Sequence, residues 1–418
     1  MYRMLETKVC IVGAGPAGTA AALQLAQLGI HCVVVDKAVF PRDKVCGDGL
    51  SGKVITALNK IDPAIATRLK EANFKVNSWG VTFVSPGRHS LDVGYRPDYN
   101  SSNQQHKETP IGYVCKRMDF DNFLVDEVRR RSEITLLEGV TVDKYELKED
   151  GYYVTGSNDF KVKADLLIIA NGAHSSFTKE VANITMEPEH YVAGIRAYYK
   201  NVSGNNADNF IELHFLKDLL PGYFWIFPLP NGEANVGVGV LSEAVRKKKM
   251  NLKKSMLDII ANDPVFKERF KDAELVSSID GYGLPLGSKQ RVISGERYML
   301  VGDAAYLIDP FTGEGIGNGL YSGRIAALQA AEALKANDTS AAQLAKYDSE
   351  IYRILGPELK LSHRLQKLVK YPWLFNTLMK ISSRNKQLQE LLSCMFYEVD
   401  LRKKLAKPSF YVKLLFNR

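Results

Sequence analysis

A chain of 418 residues is too long for one simple core and points to two domains, or to one domain with a large insertion. Its 45% apolar and 24% charged residues exclude a disordered chain, and a net charge of +8 is moderate enough that its location matters more than its size. No apolar run approaches the roughly 20 residues that span a bilayer, and the first strand begins too early to leave room for a signal peptide, so a cytoplasmic protein is expected.

The stretch Lys8–Lys37 reads in order as strand, glycine turn, helix, strand and acid. Apolar Val9–Val12 leads into Gly13, Gly15 and Gly18, an Ala/Leu-rich segment runs to Leu28, Gly29 stops the helix, and Cys32–Val35 ends in Asp36. This is a complete dinucleotide fingerprint. Gly13 allows the tight turn, Gly15 lets the backbone approach a pyrophosphate, Gly18 lets helix and strand pack closely, and the helix N-terminus faces the phosphates. Asp36 is placed to accept hydrogen bonds from a pair of ribose hydroxyls.

A loop, Phe40–Leu50, follows with the lone thiol Cys46 between turn residues. Residues 53–72 read as one helix and Val76–Val84 as a strand that stops at Pro86-Gly87. The region 88–110, with Tyr95-Arg-Pro-Asp-Tyr99, reads as a loop or hairpin of a second domain. Phe120, Phe123, Leu124 and Val128 stand at helical spacing, with Asp119 as N-cap. Ile134–Val142, Tyr152–Thr155 and Phe160–Val162 predict short strands, and Ala164–Ala170, apolar on both faces, predicts a buried parallel strand rejoining the nucleotide sheet.

From Ile184 to about Gly283 the pattern changes to aromatic-rich strands, Ala193–Tyr199, Phe210–Phe215, Tyr223–Pro228 and Asn235–Val240, as an inserted sheet domain requires. Residues 245–274 interrupt it with a Lys-rich helical segment that reads as a solvated face. Tyr223, Trp225 and Phe227 alternate and so share one face, where they either line a slot for a long hydrocarbon or pack a sheet core. Arg297–Ala305 returns to strand and glycine turn, Gly315–Leu334 reads as a long helix, and the chain beyond about Thr339 reads as helical. Its end is basic and aromatic, Arg402-Lys-Lys-Leu-Ala-Lys407 and then Phe410, Tyr411 and Phe416, a composition suited to anionic head groups or to a solvated helix end. Five cysteines, Cys10, Cys32, Cys46, Cys115 and Cys394, lack metal-ligand spacing, so reduced thiols and no structural metal are expected.

The segment Gly302-Asp-Ala-Ala-Tyr-Leu-Ile-Asp-Pro-Phe-Thr-Gly-Glu-Gly-Ile-Gly317 resembles the second FAD fingerprint of the p-hydroxybenzoate-hydroxylase-type flavoproteins. The resemblance implies that Asp303 binds the ribityl chain and that the amides of Gly315–Gly317 face the flavin's pyrimidine edge, where a helix start directs its positive end. Ala170-Asn-Gly-Ala-His-Ser175 matches the family's middle motif with Asn171 where Asp is usual, at a place associated with FAD and NADPH contacts. Arg117 matches the Arg that approaches the flavin's phosphate or ribityl chain. Two further stretches are similar to the geranylgeranyl reductases: Tyr223-Phe-Trp-Ile-Phe-Pro228, followed after eight residues by Gly237-Val-Gly239, and the Cys-Gly loop Lys44–Leu50.

This resemblance implies FAD held by Gly13, Ala14, Gly15, Pro16, Ala17, Gly18, Asp36, Lys37, Cys46, Gly47, Arg117, Val140, Asn171, Gly172, Gly302, Asp303, Pro310, Gly313, Gly315, Ile316 and Gly317, with substrate against Tyr223, Trp225 and Phe227. It implies an α/β fold with a Rossmann-like FAD-binding domain (1–75, 105–182 and 285–338), an inserted antiparallel β-sheet substrate domain (76–104 and 183–284) and a C-terminal helical region (339–418). The implied activity is saturation of C=C bonds in a polyprenyl lipid or prenylated precursor, with reducing equivalents from NAD(P)H or another electron donor. A thiol of pKa about 8.5 stays protonated at neutral pH, so Cys46 is either a proton donor at the flavin or a small residue filling space beside glycines. His31 and His174 read as structural or surface residues. The alternative is a flavin monooxygenase, or a halogenase, although halogenases carry Trp-x-Trp-x-Ile-Pro where this chain has Tyr223–Pro228. An apolar small-molecule substrate, peripheral membrane contact through the basic C-terminus and no nucleic-acid partner are expected.

Overall fold

The computed structural model describes residues 4–95, 110, 112–383, 385, 389 and 393. The chain opens with β1 (Leu5–Val12), α1 (Pro16–Gln27) and β2 (Cys32–Val35). Gly13 joins β1 to α1 at φ +108°, and a Cβ there would sit 2.4 Å from the Ala170 carbonyl oxygen, so conformation and space both demand glycine. Next come β3 (Gly49–Leu50), α2 (Gly52–Ile61) and α3 (Pro63–Glu71). Two helices stand where 53–72 reads as one, because Pro63 has no N–H to continue α2 and Asp62 caps α3 by accepting from the Ala64 N–H at 2.9 Å. The stretch read as one strand is likewise two, β4 (Val76–Ser78) and β5 (Gly80–Val84), in different sheets. Trp79 between them donates to the Asp208 carbonyl and accepts from the Tyr95 N–H.

β6 (Ser90–Gly94), β7 (Gly112–Val114) and α4 (Arg117–Arg129) follow. Lys116, not Asp119, occupies the N-cap of α4; Asp119 lies in the first turn, where its charge still favours the positive helix end. The remaining strands of this part are β8 (Ile134–Leu137), β9 (Val142–Lys148), β10 (Gly151–Gly156) and β11 (Lys161–Ile169), the last merging two expected strands into one. Then come α5 (Ser176–Glu180), β12 (Tyr191–Lys200), β13 (Ile211–His214), β14 (Gly222–Pro228) and β15 (Glu233–Leu241). The Lys-rich segment is three helices, α6 (Ser242–Lys248), α7 (Leu252–Asn262) and α8 (Pro264–Arg269). Short β16 (Glu274–Leu275), β17 (Asp280–Pro285), β18 (Ser294–Gly295) and β19 (Tyr298–Leu300) lead to α9 (Ile316–Ala336), α10 (Ala341–Ile354), α11 (Gly356–Leu368) and α12 (Pro372–Ser382).

The nucleotide sheet runs β18-β19-β11-β1-β2-β8, with β10 and β9 extending from β11. β1, β2, β8, β11 and β19 are parallel, which needs crossovers and explains why their sequences are apolar on both faces. The second sheet runs β16-β12-β15-β14-β13-β5-β6, antiparallel but for the β13–β5 pair, and β3-β7-β4 forms a small sheet between the two. One face of the second sheet packs Phe224, Ile226 and Val236 against Met256 and Phe266 of α7 and α8. The other packs Leu213, Phe215 and Trp225 with Val369, Phe375 and Met379 from the α11–α12 hairpin.

Two contacts fix the helices around the β1–α1 turn. α9 lies so close to α1 that a Cβ on Gly323 would come within 2.0 Å of the Ala17 carbonyl oxygen. α11 is tied to α2 by a fully buried ion pair between Lys53 and Glu358. Burial opposes the charge on Lys53, but Glu358, Glu314 and Asp309 together raise its pKa; burial pushes Glu358 up to about 8. Among the described residues no helix is long and apolar enough to cross a membrane, and no group of His, Cys, Asp or Glu forms a metal site. Cys394, residues 96–99 of the Tyr95–Tyr99 stretch and the basic segment from Arg402 to Phe416 lie outside the described residues. Replacing Gly323 with Val should lower stability by about 1–3 kcal/mol or more by overpacking, measured as a denaturation midpoint; an unchanged midpoint would contradict the close α1–α9 contact.

Candidate active site

A single cavity of about 700 Å³ runs from the β1–α1 turn, past the C-terminal ends of the nucleotide-sheet strands, to the aromatic face of the second sheet. That size suits a bound small molecule. At one end Gly13, Gly15, Pro16 and Ala17 bring the start of α1 to the wall, which Asp36, Lys37 and Val140 also line. Asp36 accepts from the Ala14 N–H at 2.6 Å and from the Ala38 N–H at 2.8 Å, so its carboxylate is fixed beside the open helix start. Of the fingerprint residues, Ala14 and Gly18 do not line the cavity. Ala14 spends its amide on Asp36, and a Cβ on Gly18 would meet the Gly13 carbonyl oxygen at 1.8 Å.

Midway, Asn171, Gly172, Gly302, Asp303, Pro310, Gly313, Gly315 and Ile316 share the wall. Asp303 pairs with Lys44 at 3.0 Å, and the Lys44 ammonium also lies 4.9 Å from the centre of the Tyr282 ring. Gly317 stands apart from the cavity and donates its N–H to Glu314 Oε1 at 2.7 Å, leaving Gly315 and Ile316 as the α9 start that reaches the wall. The buried Oδ1 of Asn171 has no hydrogen-bond partner. An unsatisfied buried acceptor and the α1 start, which no side chain caps, are what a polar ligand would complete, so the residues present fit FAD. His174 also borders the cavity, edge-on to Tyr282 at 5.0 Å, whereas His31 is exposed on the surface.

At the far end the Cys46–Gly49 loop lies flat on the aromatic strand. A Cβ on Gly47 would approach the Phe227 ring to 2.9 Å and one on Gly49 to 3.3 Å, so only glycines let the loop sit there. Asn235 of β15 joins the two: its Nδ2 donates to the Cys46 carbonyl at 2.7 Å and to Asp48 Oδ2 at 2.8 Å, while its Oδ1 accepts from Trp225 Nε1 at 2.8 Å. Tyr198 Oη donates to the same Asp48 oxygen at 2.8 Å, and the Arg117 N–H reaches Asp48 Oδ1 at 3.3 Å. Arg117 itself is held by both oxygens of Asp121 at 2.7 Å. Tyr223, Trp225 and Phe227 all face the cavity, with Tyr95, Ile211, Phe215, Phe311 and Val369 completing an apolar chamber.

Burial dominates the electrostatics of this end. It pushes Asp48 up to about 7 despite the hydrogen bonds from Asn235 and Tyr198 and the nearby Arg196 and Arg117. Burial also raises the Cys46 thiol, partly offset by Arg117, so the thiol holds its proton at neutral pH. Sequence reasoning singled out Cys46, Arg117 and the aromatic stripe but missed Asp48, Asn235, Tyr198 and Lys44. An acid between two glycines and a lone Asn in the otherwise apolar Ala234–Val240 run were the signals for the first two.

The FAD-binding-domain family model matches residues 6–354. A menaquinone reductase of Mycolicibacterium smegmatis is 31% identical over 76% of this chain and 75% of its own length. A digeranylgeranylglycerophospholipid reductase of Methanosphaera stadtmanae is 30% identical over 85% of this chain and 86% of its own. Among solved structures, a geranylgeranyl bacteriochlorophyll reductase-like protein of Thermoplasma acidophilum superposes with a TM-score of 0.80 at 23% identity, covering 97% of this chain and 99% of that one. A flavin-dependent brominase gives 0.74 at 18% identity, with 94% of each chain covered, so likeness of fold alone does not select a reaction.

The raised pKa of Asp48 has a sign that can be checked. Between its ordinary value of 3.8 and about 7 the folded protein binds more protons at this site than the unfolded chain, so the group's contribution to stability falls as pH rises. Chemical denaturation across this window should show Asp48→Asn gaining on the unsubstituted protein by up to about 1.4 kcal/mol per pH unit; parallel curves would place Asp48 in a solvated environment instead.

Proposed function

The chain belongs to the FAD-binding-domain family, and on that premise we propose that this FAD-dependent oxidoreductase saturates isolated C=C bonds of a prenylated lipid or quinone. The observation that carries the reading is the contact between the Cys46–Gly49 loop and the Trp225–Phe227 wall, which brings proton-bearing groups to an apolar chamber continuous with the nucleotide end of the cavity. A long hydrocarbon gains by leaving water for such aromatic walls, at about 25 cal/mol per Å² of apolar surface buried. The relatives named as menaquinone and digeranylgeranylglycerophospholipid reductases act on substrates with that apolar character.

FAD would be held with its phosphates and ribose toward Gly13, Gly15, Asp36 and Arg117, its ribityl chain at Asp303 and its ring system toward Gly315 and Ile316, and when bound it would supply hydride drawn from NAD(P)H or another donor. The protein's part is to orient the alkene and provide a proton. Hydride addition at one alkene carbon requires a proton at its neighbour, supplied by an acid or by water. The Cys46 thiol lines the cavity and keeps its proton at neutral pH, which suits it to that role. Asp48 is a positioning residue: it fixes the loop through Asn235 and Tyr198, and its negative charge, when present, makes the neighbouring thiol a weaker acid. The aromatic chamber excludes water from the reacting carbons, so that a positioned group supplies the proton.

Incubation with a reductant and a geranylgeranyl lipid or menaquinone, without oxygen, should give a product heavier by one hydrogen molecule per saturated bond; a product that gains oxygen, formed only in air, would replace this reading with a monooxygenase. Cys46→Ser should lower alkene reduction by on the order of 10²-fold with flavin content intact, and equal rates would return the thiol to a packing role. In the unsubstituted enzyme kcat/KM should decline as pH rises through about 7, the region where Asp48 loses its proton. Asp48→Asn should flatten that limb while retaining flavin, and a limb that persists would assign it to another group.

A further inference from the structure

The α11–α12 hairpin has two unlike faces. Its inner face belongs to the apolar chamber: Gln366 and Val369 line the cavity, and the Phe375 ring packs at 4.9 Å from Phe215. Its outer face carries Lys360, Arg364 and Lys367, at i, i+4 and i+7 on α11 and therefore in one row, followed by exposed Lys370. On α12 the exposed positions are Trp373, Thr377, Lys380 and Ile381, again one stripe, with Tyr371 just ahead of the helix. None of these cations makes an ion pair among the described residues, although Glu243 of α6 feels the charge of Lys370, and the sequence has no Asp or Glu between Glu358 and Glu390. Trp373 is 70% exposed, Tyr371 58% and Ile381 52%. The other two tryptophans, Trp79 and Trp225, are each only 9% exposed.

A row of unpaired cations beside exposed Trp, Tyr and Ile is not what a face meant only for water requires. Aromatic and aliphatic side chains at the rim of a basic helix pair match the boundary of a bilayer, and the cations match anionic head groups. We infer that the outer face of α11–α12 rests on an anionic lipid surface. The choice of lipid over an acidic protein rests on the prenyl-reductase reading above: the same hairpin that meets the lipid layer forms part of the chamber wall, so a long apolar substrate passes to the chamber with little exposure to water. The residues of this surface precede the basic segment Arg402–Lys407 in the sequence.

The test uses the full-length flavoprotein and phosphatidylcholine vesicles with or without phosphatidylglycerol, some carrying brominated acyl chains. The protein should sediment with the anionic vesicles and be released by high salt, because screening weakens such contacts. Brominated chains should quench its tryptophan emission, and Trp373→Phe should abolish the quenching without removing the flavin. Lys360→Glu, Arg364→Glu and Lys367→Glu together should weaken vesicle binding at least tenfold, with the thermal midpoint confirming folding. Binding lost only when Arg402, Lys403, Lys404 and Lys407 are changed to Gln, or no binding by the unsubstituted protein, would overturn the assignment and leave the face to an acidic protein. Vesicle binding is read without electron donor or alkene, so failure of this surface and failure of the reductase reading are separate results.

Discussion

One side-chain amide holds the aromatic end of the cavity together. Asn235 uses its NH₂ group on the Cys46 carbonyl and the Asp48 carboxyl and its oxygen on the Trp225 indole, so a loop that leaves the nucleotide-binding sheet is fastened to the strands of the second sheet. Asn235 is completely buried, and an unpaired buried amide is costly, so the pattern persists only if all three partners stay in place. The glycines on either side of Asp48 serve the same contact, since side chains there would strike Phe227. The two stretches that resemble the geranylgeranyl reductases, far apart in sequence, are thus two halves of one contact.

The low dielectric around this contact gives it chemistry. Asp48 receives hydrogen bonds from Asn235 and Tyr198 and lies near two guanidinium groups, yet burial outweighs them and keeps its proton bound up to about neutral pH. At Lys53 the balance is the reverse, since Glu358, Glu314 and Asp309 outweigh burial and hold its charge in the contact sealed between α2 and α11. The apolar chamber lies between these polar anchors. Structures of a brominase and of a reductase-like protein both superpose on most of this chain, so the fold alone does not set the reaction.

Much of the architecture was legible because its signals are local. The glycine fingerprint, the doubly apolar strands and the alternating aromatics of Tyr223–Phe227 each carry their period in a short window, and the structure forms strands and a helix at those places. The errors fall where a local signal met a competing one. Pro63 splits a helix that hydrophobic spacing joins, and Trp79 sends two halves of an apparent strand into different sheets. Asp119 resembles a cap, but the backbone turns helical two residues earlier. At the site, Cys46 and the aromatic stripe stood out by residue type, and Asp303 by the resemblance of its segment to an FAD fingerprint. Asp48, Asn235 and Tyr198 did not, because their importance comes from long-range contacts, 187 residues apart in the case of Asn235 and Asp48.

The most direct measurement of the central claim is anaerobic stopped-flow reoxidation of the reduced flavoprotein by a geranylgeranyl lipid, comparing the unsubstituted protein with Asn235→Leu. Loss of the amide frees the loop from the strand while leaving the nucleotide end untouched. The expected result is a variant that retains flavin and reacts with oxygen normally but is reoxidised by the lipid on the order of 10²-fold more slowly, as misplacement of reacting groups predicts. Equal lipid-driven rates in the two proteins would contradict the account, because the Asn235 contact would then have no part in bringing the alkene to its reductant.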